Sequence, residues 1–381
     1  MRVYFDNAAT TPLDPEVLEA MMPLMREHYG NPSSIHWHGR EVRAAIERAR
    51  KTVAGLLHTS PSEIFFTSGG TEADNTAIRC GIETLQLGHA ITARTEHHAV
   101  LHPLEHLRNQ GKIELHFVEL DRKGHPELDH LRELLRTYPR SFVSLMEANN
   151  EIGNRTDLTA VGELCRQSHA VFHSDTVQTM GHYPHDLQRL PVDFVVGAAH
   201  KFHGPKGTGF LYVNNDRKIG PFIHGGAQER NMRGGTENVY GIVGLAKALE
   251  IAHRDLAGHR AHIEGLKRRM MDQLTSRLDD VAFNGDSANL EQSLYTVLNV
   301  SLPPSDLSDM LLFSLDIHQI SASGGSACAS GSQVGSHVLS ALNCDPDRPS
   351  VRFSFSKYNT AEEVDYVAET LAAMHQQRVR V

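Results

Sequence analysis

From about Pro15 to Glu250 the chain alternates short apolar runs with longer stretches whose apolar residues recur at helical spacing. The strand candidates are Glu63 to Thr67, His89 to Arg94, Leu115 to Glu119, Phe142 to Glu147, Ala170 to Ser174, Phe194 to Ala199 and Gly209 to Val213. Several are too uniformly apolar for a sheet with one wet face, so both faces must be covered. The pattern predicts an α/β fold in which helices flank both faces of a mostly parallel sheet of about seven strands. Such sheets bind ligands beyond the carboxyl ends of their strands.

After an Ala-rich helix around Gly244 to Ala252, a polar stretch precedes Ile263, Leu266, Met270 and Leu274, again at helical spacing. The crossing into a second domain belongs here. With 381 residues, 40% of them hydrophobic, the chain is long enough for one large core and a smaller lobe. The expected division is a large domain over residues 15–255 and a smaller α+β domain over residues 1–14 and 256–381. In the smaller one, Leu294 to Val300 and Val351 to Phe355 read as strands, and Leu307 to Ser314 and Ala361 to about Gln376 as helices.

Charge narrows the function classes. The 46 acidic residues outnumber 37 basic ones, giving a net charge of -9, which disfavours binding to a phosphate backbone. No apolar run approaches the roughly 20 residues needed to cross a bilayer. Four separate cysteines (Cys80, Cys165, Cys328, Cys344), no CxxC pair and no leader-like start lead us to expect a soluble, cytoplasmic protein.

Four segments carry candidate chemistry. In GAAHKFHGPKGTG, from Gly197 to Gly209, an apolar strand stops at His200 and Lys201 before a Gly/Pro-rich turn. A desolvated lysine there can form a Schiff base, as in pyridoxal phosphate enzymes, although a lone turn lysine is more often merely solvated. Asp175 closes AVFHSD, with Gln178 just beyond; a carboxylate so placed can pair with a protonated pyridine nitrogen, or simply serve a turn. TSGGTEADN, from Thr67 to Asn75, runs from strand through two glycines into a helix start, where amides and Thr71 can cradle a phosphate or Thr71 can cap the helix. His97 follows another strand and can lie against a planar ring, but the chain has 25 histidines. SASGGSACASGS, from Ser321 to Ser332, sets Cys328 among residues of almost no bulk, the composition of a mobile loop that can deliver a thiol nucleophile. Cys80 and Cys165 read as small core fillers.

Together with YFDNAATTP, NPSSIH, ANNEIG, GGAQERNMRGGTEN and SVRFS, these segments occur in an order and spacing that resembles one family over almost the whole chain. That family is the cysteine desulfurases of the NifS/IscS type, class V aminotransferases within the fold type I pyridoxal enzymes. The resemblance implies that Lys201 holds pyridoxal 5'-phosphate through its amine, Asp175 meets the pyridine nitrogen and Gln178 the ring hydroxyl. His97 would stack on the ring and share proton transfer with Lys201. Gly70, Thr71 and His200 would hold the phosphate, and Thr236 would reach the phosphate of a neighbouring subunit, which implies a homodimer. Asn150, also beside the cofactor, and Arg352 would orient L-cysteine. Cys328 would take its sulfur as a persulfide, leaving L-alanine, and pass it to an acceptor protein for iron-sulfur cluster assembly or another sulfur-using pathway.

The chain departs from the family pattern in places. Ala198 stands where a phosphate-binding serine is usual, GNRTD (Gly153 to Asp157) lacks the usual Gln-Pro-like continuation, and GSH (Gly335 to His337) replaces Pro-Ser-His. After its last helix nothing resembles the longer tail of members that dock the IscU scaffold, so the acceptor stays open. Selenocysteine lyase or kynurenine-cleaving chemistry on the same scaffold, or a retired enzyme kept for sulfur trafficking, are the alternatives. No metal site is expected, since neither His200 with His203 nor His97 with His98 has a third ligand at suitable spacing.

Overall fold

The computed structural model describes residues 1–305, 308–324 and 335–376. Its strands are β1 (Val3–Tyr4), β2 (Ile64–Thr67), β3 (His89–Thr92), β4 (Glu114–Phe117), β5 (Phe142–Ser144), β6 (Val171–Asp175), β7 (Phe194–Ala198), β8 (Gly209–Val213), β9 (Ala282–Phe283), β10 (Val297–Ser301), β11 (Ile320–Ser321) and β12 (Ser350–Ser354). The helices are α1 (Pro15–Arg26), α2 (Trp37–Leu56), α3 (Gly70–Asn75), α4 (Gly81–Leu85), α5 (His98–Asn109), α6 (Leu128–Thr137), α7 (Leu158–Gln167), α8 (Val239–Arg254), α9 (Leu256–Arg277), α10 (Leu311–Ile317), α11 (His337–Ala341) and α12 (Ala361–Gln376). A π-helical turn over Thr76–Cys80 joins α3 to α4.

Seven strands form the large sheet in the order β2-β8-β7-β6-β5-β3-β4. Neighbours from β7 to β4 run parallel, while β8 is antiparallel to both β2 and β7. Alternation along the strands divides the core in two, because successive side chains leave a strand on opposite faces. Val143, Phe172, Val195, Phe210 and Tyr212 pack with α1, α2, α7 and α8 on one face. Phe142, Val171, Phe194, Val196 and Leu211 pack with α3 and α5 on the other. Hence the strands read as unbroken apolar runs.

A separate hydrophobic cluster joins Val3, Phe5 and Ala8 to α9, α12 and the antiparallel sheet β12-β10-β9. The N-terminal segment belongs to it through β1, which pairs in parallel with β11. β3, β4, β5 and β7 end one to three residues earlier than the apolar runs suggest, whereas β6 runs one residue further, to Asp175. Past Ser144 and Thr92 the backbone leaves the ladder, and those residues supply the site instead. The helix expected from Leu307 begins at Leu311, after a single 3-10 turn over Ser308–Met310, and extends to Ile317. The expected strand from Leu294 starts only at Val297, because the Leu294 amide is used by the Gly153 carbonyl (2.7 Å). No helix among the described residues is long and apolar enough to cross a membrane.

Candidate active site at the carboxyl ends of the strands

Lys201 lies in the 3-10 turn Ala199–Lys201, directly after β7. Its Nζ donates to the carbonyls of Ala8 (2.5 Å) and Ala9 (2.8 Å), so the N-terminal segment forms the wall opposite the sheet. Gln178 Nε2 donates to the same Ala8 carbonyl at 3.0 Å. His200 is tied to that segment as well: its carbonyl accepts from the Thr11 amide (2.9 Å) and its Nδ1 lies 3.2 Å from the Thr10 hydroxyl. Burial, with Lys201 and Lys206 adding repulsion, lowers the His200 pKa to about 4, so its ring is neutral at pH 7.

A cavity of about 230 Å³ opens between these groups, lined by Gly70, Thr71, Asp74, His97, Asn150, Asp175, Gln178, His200, Lys201 and Arg352, with Ala8, Ala9, Met146, Ala148, Val177 and Ala198. Nine of the expected site residues therefore share one cavity. Thr236 is not among them. It lines a separate cleft with Ser68, Glu229, Arg233 and Asn238. Cys328 lies outside the described residues.

The segment that carries Cys328 leaves and re-enters the described structure beside this cavity. On one side, Ser323 exchanges backbone hydrogen bonds with Arg352 and donates its hydroxyl to Asp6 (2.8 Å). On the other, His337 Nε2 meets the Glu96 carbonyl at 2.9 Å, next to His97, and the Ser336 hydroxyl donates to Glu151.

His97 caps α5: its Nδ1 accepts from the Ala99 amide at 3.1 Å, which assigns the ring proton to Nε2. Burial lowers its pKa; Asp175 opposes that and Lys201 reinforces it. Asp175 accepts from the Val177 amide (2.9 Å), and burial raises its pKa despite His97, that amide and Lys201. A cation brought against it in the cavity would favour its ionised form. At the other end, Gly69 takes φ 155° and ψ -179°, a conformation open in practice to glycine alone, and so caps α3. The cap is thus Gly69 and not Thr71, and the Thr71 side chain stays with the cavity. A Cβ on Gly70 would meet Val177 Cγ2 at 2.8 Å, so the wall here is bare backbone by necessity.

Arg352, on β12 and 1% exposed, donates to Asp6 Oδ1 and to the Asn150 carbonyl, both at 2.8 Å. Its Nε has no partner among the described residues.

Sequence reasoning missed three buried acids and two buried histidines, of which Asp74 lines the cavity itself. Asp74, in α3, places Oδ1 3.3 Å from His173 Nε2, and His173 Nδ1 lies 2.8 Å from the Ser144 hydroxyl, with the ionisable pair essentially unexposed. His173 and Asp175 are two apart on β6 and so share a face. Glu96 accepts from the Met146 amide at 2.7 Å, and its other oxygen has no partner among the described residues. Burial, then the charge of Asp175, holds Asp74 well above the ordinary carboxylate range, and burial does the same for Glu96. Glu147, buried with His185 at 2.7 Å, completes the set. The signal available for Asp74 was its spacing, one helical turn after Gly70 and Thr71.

Comparison with known proteins decides the family. Residues 3–367 match the class-V aminotransferases. A cysteine desulfurase IscS of Dictyoglomus turgidum is 42% identical over 373 residues, covering 97% of this chain and 93% of the relative. The chain belongs to the class-V aminotransferase family, among the cysteine desulfurases of the NifS/IscS type. An IscS of Methanosarcina thermophila is likewise 42% identical over 374 residues, covering 97% of this chain and 91% of its own. Among solved structures, a NifS-like protein superposes with a TM-score of 0.91 at 38% identity, covering 99% of this chain and 100% of its own. The structure of SspA in complex with cysteine gives 0.81 at 28% identity, covering 94% and 100%. The fold is accordingly the type I fold of pyridoxal enzymes, as the strand pattern and the resemblance led one to expect.

Proposed function

We propose that this chain takes sulfur from L-cysteine, with pyridoxal 5'-phosphate held at Lys201, giving L-alanine and a persulfide on Cys328. The observation that carries the reading is one cavity that gathers a strand-end lysine, a buried carboxyl that a cationic partner would ionise, a neutral histidine and a bare glycine wall. These residues fit the cofactor. Lys201 would hold it, Asp175 would face the ring nitrogen, Gln178 its hydroxyl and His97 its face, with Gly70, Thr71 and His200 around the phosphate. Ala198 offers only a methyl group there, so α3 and His200 carry that task. The cofactor supplies an electron sink that loosens bonds at the substrate's α and β carbons.

The chain's own groups do the remaining work. Arg352 is positioned to take the substrate carboxylate with its unpartnered Nε, since a guanidinium matches two oxygens at once. Lys201, once displaced, and His97 through Nε2 are the groups placed to move protons at the substrate. The Cys328 thiolate attacks the substrate sulfur: an S–S bond forms, the carbon–sulfur bond breaks, and the carbon gains a proton to become alanine. The flanks of its segment, fixed at Arg352 and beside His97, support delivery of the thiol to this cavity. The division of residues 15–255 from residues 1–14 and 256–381 then assigns the cofactor to one part and the thiol to the other. Thr236, on its separate cleft, is free to serve the phosphate of a second copy, so the working form is a homodimer. The compartment is proposed to be the cytoplasm, and the acceptor a protein thiol.

The test is incubation with sulfur-labelled cysteine followed by peptide mass spectrometry. Label on Cys328, alanine release, and loss of the lysine-bound cofactor's visible absorbance in Lys201→Ala are the expected results. Undiminished cysteine turnover in Cys328→Ala would refute the assignment of the nucleophile.

A further inference from the structure

At the far edge of the large sheet, two imidazoles and a carboxylate converge. β4 is the edge strand and pairs in parallel with β3, His89 lying opposite Glu114. Glu114 and His116 are two apart on β4 and so emerge on the same face as His89. His89 Nδ1 lies 3.3 Å from His116 Nε2 and 3.8 Å from Glu114 Oε2. One ligand atom from each residue lies within 4.8 Å of both others. Tyr138, at the end of α6, backs the pair: its ring stacks on His116 at 3.9 Å and 17°, and lies 4.8 Å from His89.

Zinc binds imidazole nitrogen and carboxylate oxygen at about 2.0 to 2.2 Å, so ligand atoms around one tetrahedral ion stand about 3.3 to 3.5 Å apart. The imidazole pair already has that spacing, and the exposed Glu114 side chain closes the rest by rotating. We propose that His89, Glu114 and His116 form a binding site for a divalent first-row transition ion, with a fourth position open to solvent. Without an ion, one imidazole can donate to the other; for an ion to take both facing lone pairs, the donating ring's proton moves to its other nitrogen, so both ligands stay neutral imidazoles. Two nitrogens and one oxygen suit zinc-like ions and not magnesium, which demands six oxygens. His89 and Glu114 open their strands, whereas Asp175 and Ala198 close theirs next to the cavity. The site is therefore remote from the chemistry, and its effect is to clasp the edge strand to its neighbour.

Dialysis of the holoenzyme against Zn²⁺ with excess Mg²⁺, with bound metal counted by mass spectrometry, tests this. The parent and Cys328→Ser retain an ion that His89→Gln and His116→Gln lose. The loss exceeds the roughly 10- to 100-fold effect of removing a mere supporting partner. X-ray absorption of the loaded parent shows two imidazole nitrogens, and cysteine turnover in His116→Gln is unchanged. Melting temperatures measured without metal separate ligand loss from misfolding; should either histidine variant melt early, Glu114→Gln decides. Zn²⁺ bound as tightly by His116→Gln as by the parent, or no uptake by the parent, overturns the proposal.

Discussion

Burial holds the carboxyls of Asp74 and Glu96 well above the ordinary range, and this sets a pH signature. Their folded pKa values lie above the unfolded values near 4, so folding favours the protonated forms. The stability they allow is complete below about pH 4 and is lost as pH rises toward their folded values. Asp74→Asn mimics the neutral acid without this dependence. Its unfolding free energy should gain on the parent by up to about 1.4 kcal/mol per pH unit above pH 4, read from denaturant midpoints. A gap that stays constant with pH means that Asp74 is ionised in the fold. Glu147 and His185 behave oppositely. Burial penalises both charges, but His185 and the Thr179 hydroxyl bring Glu147 below its usual range, and Glu147 raises His185. Their contribution needs a pH above the ordinary Glu value, near 4.3, for the carboxylate; it fades on the alkaline side as His185 titrates through its raised value. His185→Leu leaves a buried carboxylate without its imidazolium, with the Thr179 hydroxyl still against it, and should cost about 3 to 5 kcal/mol in urea unfolding at pH 6. Lys201, Asp175 and His97 were legible because each ends or follows an apolar strand. Asp74, Glu96 and His173 were not, since a buried acid looks like a surface acid until its helix is docked.

Between β7 and β8 the fit is tight enough to explain a composition that otherwise looks like a loop. A Cβ on Gly197 would meet the Phe210 ring at 2.2 Å, and one on Gly209 would meet the Gly197 carbonyl at 2.6 Å. The glycines let two strands and α3 approach closely, which carries β7 to the point where Lys201 turns into the cavity. Gly197→Ala should lower stability by about 1 to 3 kcal/mol, measured by equilibrium denaturation, because the new methyl group would push the fully buried Phe210 ring out of place. Strand positions in the large sheet were legible to within a few residues, since burial on both faces leaves continuous apolar runs. Strand ends were less so, because Leu145 and Met146 are as apolar as the ladder residues before them. The histidines of β3 and β4 show a different limit: 27 positions separate them in sequence, and only strand pairing makes them neighbours.

Across the whole molecule, the first residues of the chain tie its parts together. Ala8 and Ala9 hold Lys201, Thr11 donates to the His200 carbonyl and accepts from the His203 amide, Asp14 donates through its amide to the His203 carbonyl, and Asp6 holds Arg352. Asp6→Ala should leave Arg352 without its anion and raise the cysteine KM by about tenfold or more, with a smaller change in kcat, in steady-state assays. The resemblance identified Arg352, but nothing in YFDNAATTP reveals that its aspartate is the partner. The cavity lining extends from Ala8 to Arg352, and this has a consequence for the order of synthesis. A nascent chain carries Lys201 long before the ribosome has made β12, so the lysine emerges with only part of its enclosure. The cavity is complete only after translation has passed Arg352 and β12 has closed on the segment around Ala8.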